Sequence, residues 1–295
     1  MTVLLRILGV RRFQAINTAI IRSVIQQRTM SEHLERTAHN FRQPGVSEAV
    51  VTSIQDVSPS VKQLTLQVNN PHFSFKAGQW VDFQIPSLST VGGYSMSSTP
   101  SRLQIDRSLE LAVKYSDHAP AHWVHKKCKV GDKVGIRVGG DQIIYDPQPG
   151  DPKTDILLLA GGIGINPLVS IIQHVAHLHD NKVCDTGKVQ MLYSASSIKE
   201  LIFKQTIADI CQRIPDVNCQ FFVTKENIDE QDQSTSNSII SHRIDGSTLE
   251  GALKNLDITS VRCYICGPPP MIASMETYLQ ELGVKKEQFH CEKWW

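Results

Sequence analysis

From about Val46 to Asp146 the chain is a series of short runs in which apolar and polar residues alternate: AVVTSIQDVS, VKQLTLQVN, QWVDFQI, LELAVKYS and DKVGIRV. The runs are rich in valine, isoleucine and aromatic residues, and glycine, proline, asparagine and aspartate punctuate them. A period of two is what a strand with one buried face requires, because successive side chains point to opposite sides. Their number and spacing predict an antiparallel barrel or sandwich, with one helical piece over Ala121–Lys127.

The pattern changes at Asp146–Lys153, DPQPGDPK, where three prolines and a glycine mark a stiff connection between domains. Past it the spacing predicts strands over Ile156–Leu159, Val189–Tyr193, Cys219–Val223 and Val261–Cys266. Helices are predicted over Pro167–His177, Lys199–Arg213, Leu249–Asn255 and Pro269–Leu282. Such alternation is the mark of a parallel sheet with helices on both faces. The polar stretch Lys225–Ser238 reads as a loop. The expected architecture is an antiparallel β-barrel domain over residues 46–147, followed by an α/β doubly wound parallel-sheet domain over 153–295. Residues 32–45 read as a polar linker ahead of the barrel.

A length of 295 residues suits two domains of ordinary size. No apolar run approaches a membrane span, so none is expected. The net charge of +1 hides an asymmetry. Residues 1–31 hold Arg6, Arg11, Arg12, Arg22 and Arg28 and no acid, which leaves 25 basic residues against 29 acidic ones in the remainder. That remainder is mildly acidic and carries no nucleic-acid footprint. In the first 31 residues, Leu5, Leu8, Ile16, Ile20 and Val24 recur close to helical spacing, so the segment reads as a mitochondrial transit peptide. A secretory signal is the alternative, although Arg6 interrupts its apolar stretch.

The seven cysteines, at 128, 184, 211, 219, 263, 266 and 291, are odd in number and lack a spaced framework, which points to reduced thiols. Cys263 and Cys266 form a CxxC, but no second pair is spaced to complete a zinc site. His118, His122 and His125, or His174 and His177, could share a helix face. Neither group has an acid or cysteine beside it, so no metal is expected.

One stretch carries more chemistry than the rest. In DILLLAGGIGINPLVSII, from Asp155 to Ile172, an apolar strand runs into three glycines and then a helix. Gly161, Gly162 and Gly164 allow a tight turn and remove side chains that would block a ligand. Asn166 is placed to cap the helix, and Pro167 suits its first turn. A helix N-terminus at the carboxyl end of a parallel strand is where a pyrophosphate binds. The spacing differs from G-x-G-x-x-G, and a tight turn without a ligand has the same signature. The last predicted strand ends similarly, in YICGPPPMI (Tyr264–Ile272), which puts a second glycine turn on the same edge of the sheet.

Together these residues resemble the ferredoxin–NADP reductase superfamily of flavin-dependent NAD(P)H reductases, over roughly residues 46–295. LLAGGIGINPLVSII looks like the family's pyrophosphate loop, and CGPPPM like its nicotinamide-side motif. The resemblance implies a flavin-binding barrel ahead of the nucleotide domain, with FAD and NAD or NADP as cofactors. It implies that Gly161, Gly162, Ile163, Gly164, Ile165, Asn166, Pro167, Cys266, Gly267 and Pro268 hold the dinucleotide. In GGYSMSST, Gly92–Thr99, Tyr94 and Ser95 match the family's flavin-binding aromatic and hydroxyl positions. Gly92 stands where the family has the arginine that neutralises the flavin diphosphate, and Ala121 stands where it has a phosphate-binding serine. Arg102, His118 and His122 are the replacements that sequence can suggest.

The resemblance also implies catalytic positions for Ser95, Cys266 and Glu292, with Trp294 or Trp295 covering the flavin. A hydrophobic C-terminal clasp is the alternative for that tail. After the second strand of the nucleotide domain, YSASSIKEL offers Ser194, Ser196, Ser197 and Lys199. It has neither an arginine for a 2′-phosphate nor an acid at the strand end for a ribose diol, which leans toward NADH. The expected activity is hydride transfer from a nicotinamide dinucleotide to flavin and onward to an unknown electron acceptor. The alternative is a nucleotide sensor or scaffold that has lost flavin turnover.

Overall fold

The computed structural model describes residues 33–226 and 239–292. The basic segment 1–31, most of the polar loop, and Trp294 and Trp295 lie outside the described residues.

The first half is antiparallel. Strands β1 (Ser47–Ser58), β2 (Val61–Val68), β3 (Trp80–Gln84), β4 (Gly92–Ser95), β5 (Ser108–Lys114) and β6 (Lys133–Gly139) pair in the order β4-β3-β6-β1-β2-β5. The sheet is barrel-like without closing. Its two edge strands meet at a single bridge between Met96 and Leu111, beside a Ser97 N–H bond to the Glu110 carbonyl of 2.9 Å. Alternate residues such as Leu64, Leu66, Val81, Phe83, Leu109 and Leu111 fill its interior, as the period of two requires. Helix α1 (Pro100–Asp106) was not expected from the pattern. Thr99 caps it by accepting from the Arg102 N–H at 3.2 Å, and Pro100 occupies its first turn. Helix α2 (Ala119–Lys126) lies over β5.

The second half is parallel. Strands β7 (Ile156–Gly161), β8 (Val189–Ala195), β9 (Val217–Val223), β10 (Ile239–Ile240), β11 (Arg262–Cys266) and β12 (Phe289–Glu292) run in the order β10-β9-β8-β7-β11-β12. Helices α3 (Ile165–Asp180) and α4 (Lys204–Arg213) share one core with Leu158, Met191 and Tyr193. Helices α5 (Gly246–Leu253) and α6 (Pro269–Glu281) share another with Leu157, Leu159 and Phe222. The continuous apolar run LLL thus serves both faces in turn, as a doubly covered strand must.

The helix expected over Lys199–Arg213 begins later. A 3₁₀ turn at Ile198–Glu200 precedes it, and Phe203 adopts a left-handed φ of 63°. Leu201 and Ile202 are buried in that break, and the Tyr193 hydroxyl donates to the Glu200 carbonyl at 3.2 Å. Tertiary contacts there override a helix-compatible pattern.

Residues 33–43, which read as a linker, are tied to the barrel. Arg42 bridges Gly139, and the Gln43 N–H bonds the Val138 carbonyl at 2.9 Å. Beneath them lies Asp82, fully buried. Its carboxylate receives His33 at 2.8 Å, Arg42 at 3.0 Å and Arg137 at 2.6 Å.

The two halves are joined through α3. The Asn166 amide donates to the Ala112 carbonyl of β5 at 2.7 Å, Ser170 to the Ser98 carbonyl at 2.7 Å, and Gln173 to that of Ser97 at 2.9 Å. Glu200 adds a second tie by accepting from Ser58 and Ser60, on either side of the β1–β2 turn. Among the described residues, no helix is long and apolar enough to cross a membrane.

Candidate functional site

Chain order reverses direction across the sheet at β7, which has β8 on one side and β11 on the other. Such a switch point opens a crevice at the carboxyl ends of the strands. Gly161 ends β7, and Cys266, which ends β11, stands in register with Ala160. The two glycine turns therefore lie side by side.

The glycines have separate reasons. A Cβ on Gly164 would overlap the Cys266 carbonyl oxygen, and one on Gly161 would overlap the Met271 sulfur and stand 2.8 Å from Pro268 Cδ. Gly164 is small because the two turns pack backbone to backbone, and Gly161 because the Met271 side chain and the Pro268 ring fill its Cβ position. Of the three glycines in this turn, Gly162 alone combines a positive φ, 54°, with open space, having nothing within 4 Å of its missing Cβ. It is the bare backbone a ligand can approach. Gly162–Gly164 form a 3₁₀ turn that runs straight into α3. Asn166 is consequently inside the helix rather than capping it, and its amide is spent on the barrel.

Two adjoining cavities open along this edge. The one between the domains, about 650 Å³, is lined by Tyr94, Ser95, Gly161, Gly162, Ile163, Gly164, Asn166, Pro167, Cys266, Gly267 and Pro268. Of the residues expected to bind dinucleotide or flavin, only Ile165 is absent, its side chain being buried in the core beneath the turn. The second cavity, about 410 Å³, continues past Gly161 and Gly162 over the ends of β8 and β9. It is lined by Ser194 and Ser196, as the sequence suggested, and also by Lys114, Glu200 and Arg243. Ser197 and Lys199 stay out of it. Glu200 supplies an acid that the strand-end reading had not found there.

The residues suit nucleotide cofactors. Gly162 and the start of α3 offer a cradle and a positive dipole end to a pyrophosphate. On the barrel side, the Tyr94 hydroxyl is buried without a hydrogen-bond partner, and so is the Asn166 side-chain oxygen. Buried polar atoms are rarely left so, and both residues line the cavity. Burial raises the Tyr94 phenol above its ordinary range, and its ring stands edge-on to Phe83 at 5.6 Å.

Glu292 stands behind Ser95 rather than in this cavity. It lines a smaller one of about 260 Å³ with Trp80 and Thr37. The Ser95 hydroxyl donates to its carboxyl at 3.4 Å. Burial pushes the Glu292 carboxyl up to about 8, although the hydrogen bond from Ser95 opposes the shift. Three sequence-distant positions named for catalysis thus cluster: Ser95 and Cys266 on one cavity, with Glu292 one hydrogen bond away.

The replacements suggested for the missing phosphate arginine divide. His118 lines the cavity. Arg102 is committed to Glu110 at 2.5 Å, and His122 packs toward Tyr115. Arg36 and His33 also line it. Sequence gave no sign of them, because they sit in what read as linker. Among the described residues no group of three or more histidine, cysteine, aspartate or glutamate side chains is arranged to hold a metal.

A barrel-like antiparallel domain joined at a switch-point cleft to a doubly wound one defines the two-domain architecture of the ferredoxin–NADP reductases. Solved structures agree. A ferredoxin NADP⁺ reductase from Neisseria gonorrhoeae with bound FAD and NADP aligns with a TM-score of 0.66 at 20% identity, covering 86% of this chain and 100% of that one. The cytochrome b5 reductase domain of Ulva prolifera nitrate reductase aligns at 0.68 and 16% identity, covering 84% and 97%. Residues 158–277 match the oxidoreductase NAD-binding domain. The chain is 45% identical over 272 residues to oxidoreductase NAD-binding domain-containing protein 1 of Danio rerio, spanning 91% of this chain and 99% of that protein, and it belongs to that family.

Proposed function

We propose that the protein takes a hydride from NADH or NADPH onto FAD held in the barrel side of the cleft, and passes the electrons to a further acceptor. The observation that supports this most is the meeting, on one 650 Å³ cavity, of the Gly162 turn and Cys266 from the parallel domain with Tyr94 and Ser95 from the barrel. A bound flavin supplies the two-electron chemistry that no side chain provides. This chain's residues do the rest. The Gly162–Gly164 turn and α3 hold the pyrophosphate. Cys266 and Pro268 floor the nicotinamide end. Tyr94 and Ser95 bind the flavin side, and the Asn166–Ala112 bond keeps the two halves in register. Closing the cavity on both ligands excludes water from the transfer.

The test is anaerobic addition of NADH, and separately NADPH, to FAD-loaded protein. The flavin absorbance is expected to bleach with at least one of them. Protein that takes up FAD and keeps its oxidised spectrum under both would contradict the reading.

Ser95 and Glu292 hold a proton beside this site. Glu292 has a folded pKa of about 8 against an ordinary 4.5, so the fold favours its protonated form. Its contribution to stability is full below the ordinary value and is lost as pH rises through about 8. The urea midpoint is therefore expected to fall between roughly pH 5 and 9, and Glu292→Gln, which stays neutral, to flatten that slope. An unchanged slope in the variant would place the titration elsewhere.

A further inference from the structure

The barrel side of the main cavity is lined by basic residues. Arg36, Lys114, His33 and His118 line it, and none of its described lining residues is an acid. An anionic group is the ligand such a lining selects. Strand β4, which faces the same space, has no room to supply a charge of its own. A Cβ on Gly92 would stand 2.7 Å from the Tyr94 ring and 3.0 Å from Pro120, and one on Gly93 would overlap the His33 imidazole. An arginine cannot be built at either place without displacing the ring that lines the cavity.

The N-terminal turn packs on this strand at Gly93, where the His33 ring fills the space of the missing side chain. His33 packs edge-on against Trp80 at 5.1 Å, and its Nε2 is held by the fully buried Asp82 at 2.8 Å. The Thr37 N–H closes the turn on the His33 carbonyl at 3.0 Å. Arg36 lies within that turn, so the anchorage of His33 also sets where the guanidinium is presented.

We infer that Arg36, from the segment ahead of the barrel, is the flavin diphosphate clamp of this chain, on a cavity wall where strand β4 has no charged side chain to offer. The inference rests on the reading that FAD occupies the barrel side. A guanidinium donates two parallel N–H groups to phosphate oxygens, which a lysine cannot reproduce. The flavin therefore depends on residues that a barrel beginning at residue 46 would lack.

The test uses the full chain and three probes: FAD, riboflavin, which has no phosphate, and NADH. Binding of the first two is followed by flavin fluorescence. Arg36→Ala is expected to weaken FAD about ten- to a hundredfold, Arg36→Lys less, and neither to change riboflavin or NADH. Equal FAD affinity in wild type and Arg36→Ala would overturn the inference while leaving the flavin reading intact. A parallel loss of FAD and riboflavin would overturn it by showing a structural role. A loss confined to NADH would assign Arg36 to the other nucleotide. Wild-type protein that binds no FAD at all would bring down the flavin reading itself.

Discussion

Gly164→Ala is expected to destabilise the protein by about 3 kcal/mol or more, whereas Gly162→Val leaves it within about 1–2 kcal/mol of wild type and removes dinucleotide binding. The two positions are two residues apart on one turn, and their difference separates packing from ligand recognition. A methyl on Gly164 falls inside the contact distance of the Cys266 carbonyl, backbone against backbone, so neither side can yield by rotating a side chain. The turns after β7 and β11 must part, and with them the Cys266 side of the cavity. At Gly162 nothing stands within 4 Å of an added Cβ, so the cost is chiefly the strain of a φ of 54°. The valine branches fill the approach to the backbone where a pyrophosphate has to sit. Thermal melting together with calorimetric titration of NADH checks both. Gly162→Val protein that binds NADH as wild type does would remove the cradle from the account.

Asp82→Ala is expected to cost about 3–5 kcal/mol and to release the N-terminal turn. Burial alone would raise this carboxyl. The hydrogen bonds from His33, Arg42 and Arg137 outweigh it and hold the group down at about 2. A depressed pKa gives stability that is full above the ordinary value of 3.8 and is lost as pH falls through about 2. Wild type thus keeps this contribution throughout the physiological range. Removing the carboxylate leaves His33 and Arg42 mostly buried, their side chains only 7% and 14% exposed, with no anion to face. Arg42 retains its stacking over Trp80 at 5.0 Å, which holds the loss near the lower figure. Urea unfolding measures the cost, and protease cleavage within residues 33–43 measures the release. If Asp82→Ala is cleaved no faster than wild type, the carboxylate does not anchor the turn.

The division into an alternating half and a strand–helix half was legible because burial imposes periods of two and 3.6 on the chain, and both were written clearly. The glycine turn was legible too, although for a partly different reason. Sequence suggested that all three glycines clear space for a ligand, while the fold spends Gly161 and Gly164 on the neighbouring turn and leaves only Gly162 open. What sequence could not carry was contact between distant segments. Asn166 has the residue type of a helix cap and bonds instead to a barrel carbonyl 54 residues earlier in the chain. Glu200 lies past the strand end and is held against the barrel by Ser58 and Ser60. Arg36 sits in a polar stretch without periodicity. Its place on the cavity depends on Asp82, 49 residues beyond His33, and no local pattern announces that pairing.

The central claim is that one dinucleotide lies along the edge of the parallel sheet, gripped by the turn after β7 and reaching the barrel through the turn after β11. A crystal structure with a reduced nicotinamide dinucleotide bound tests it most directly. The account predicts the pyrophosphate against the backbone of Gly162–Gly164 and the nicotinamide between Cys266 and the Tyr94–Ser95 wall. A dinucleotide bound elsewhere, with side chains closing over Gly162, would contradict it.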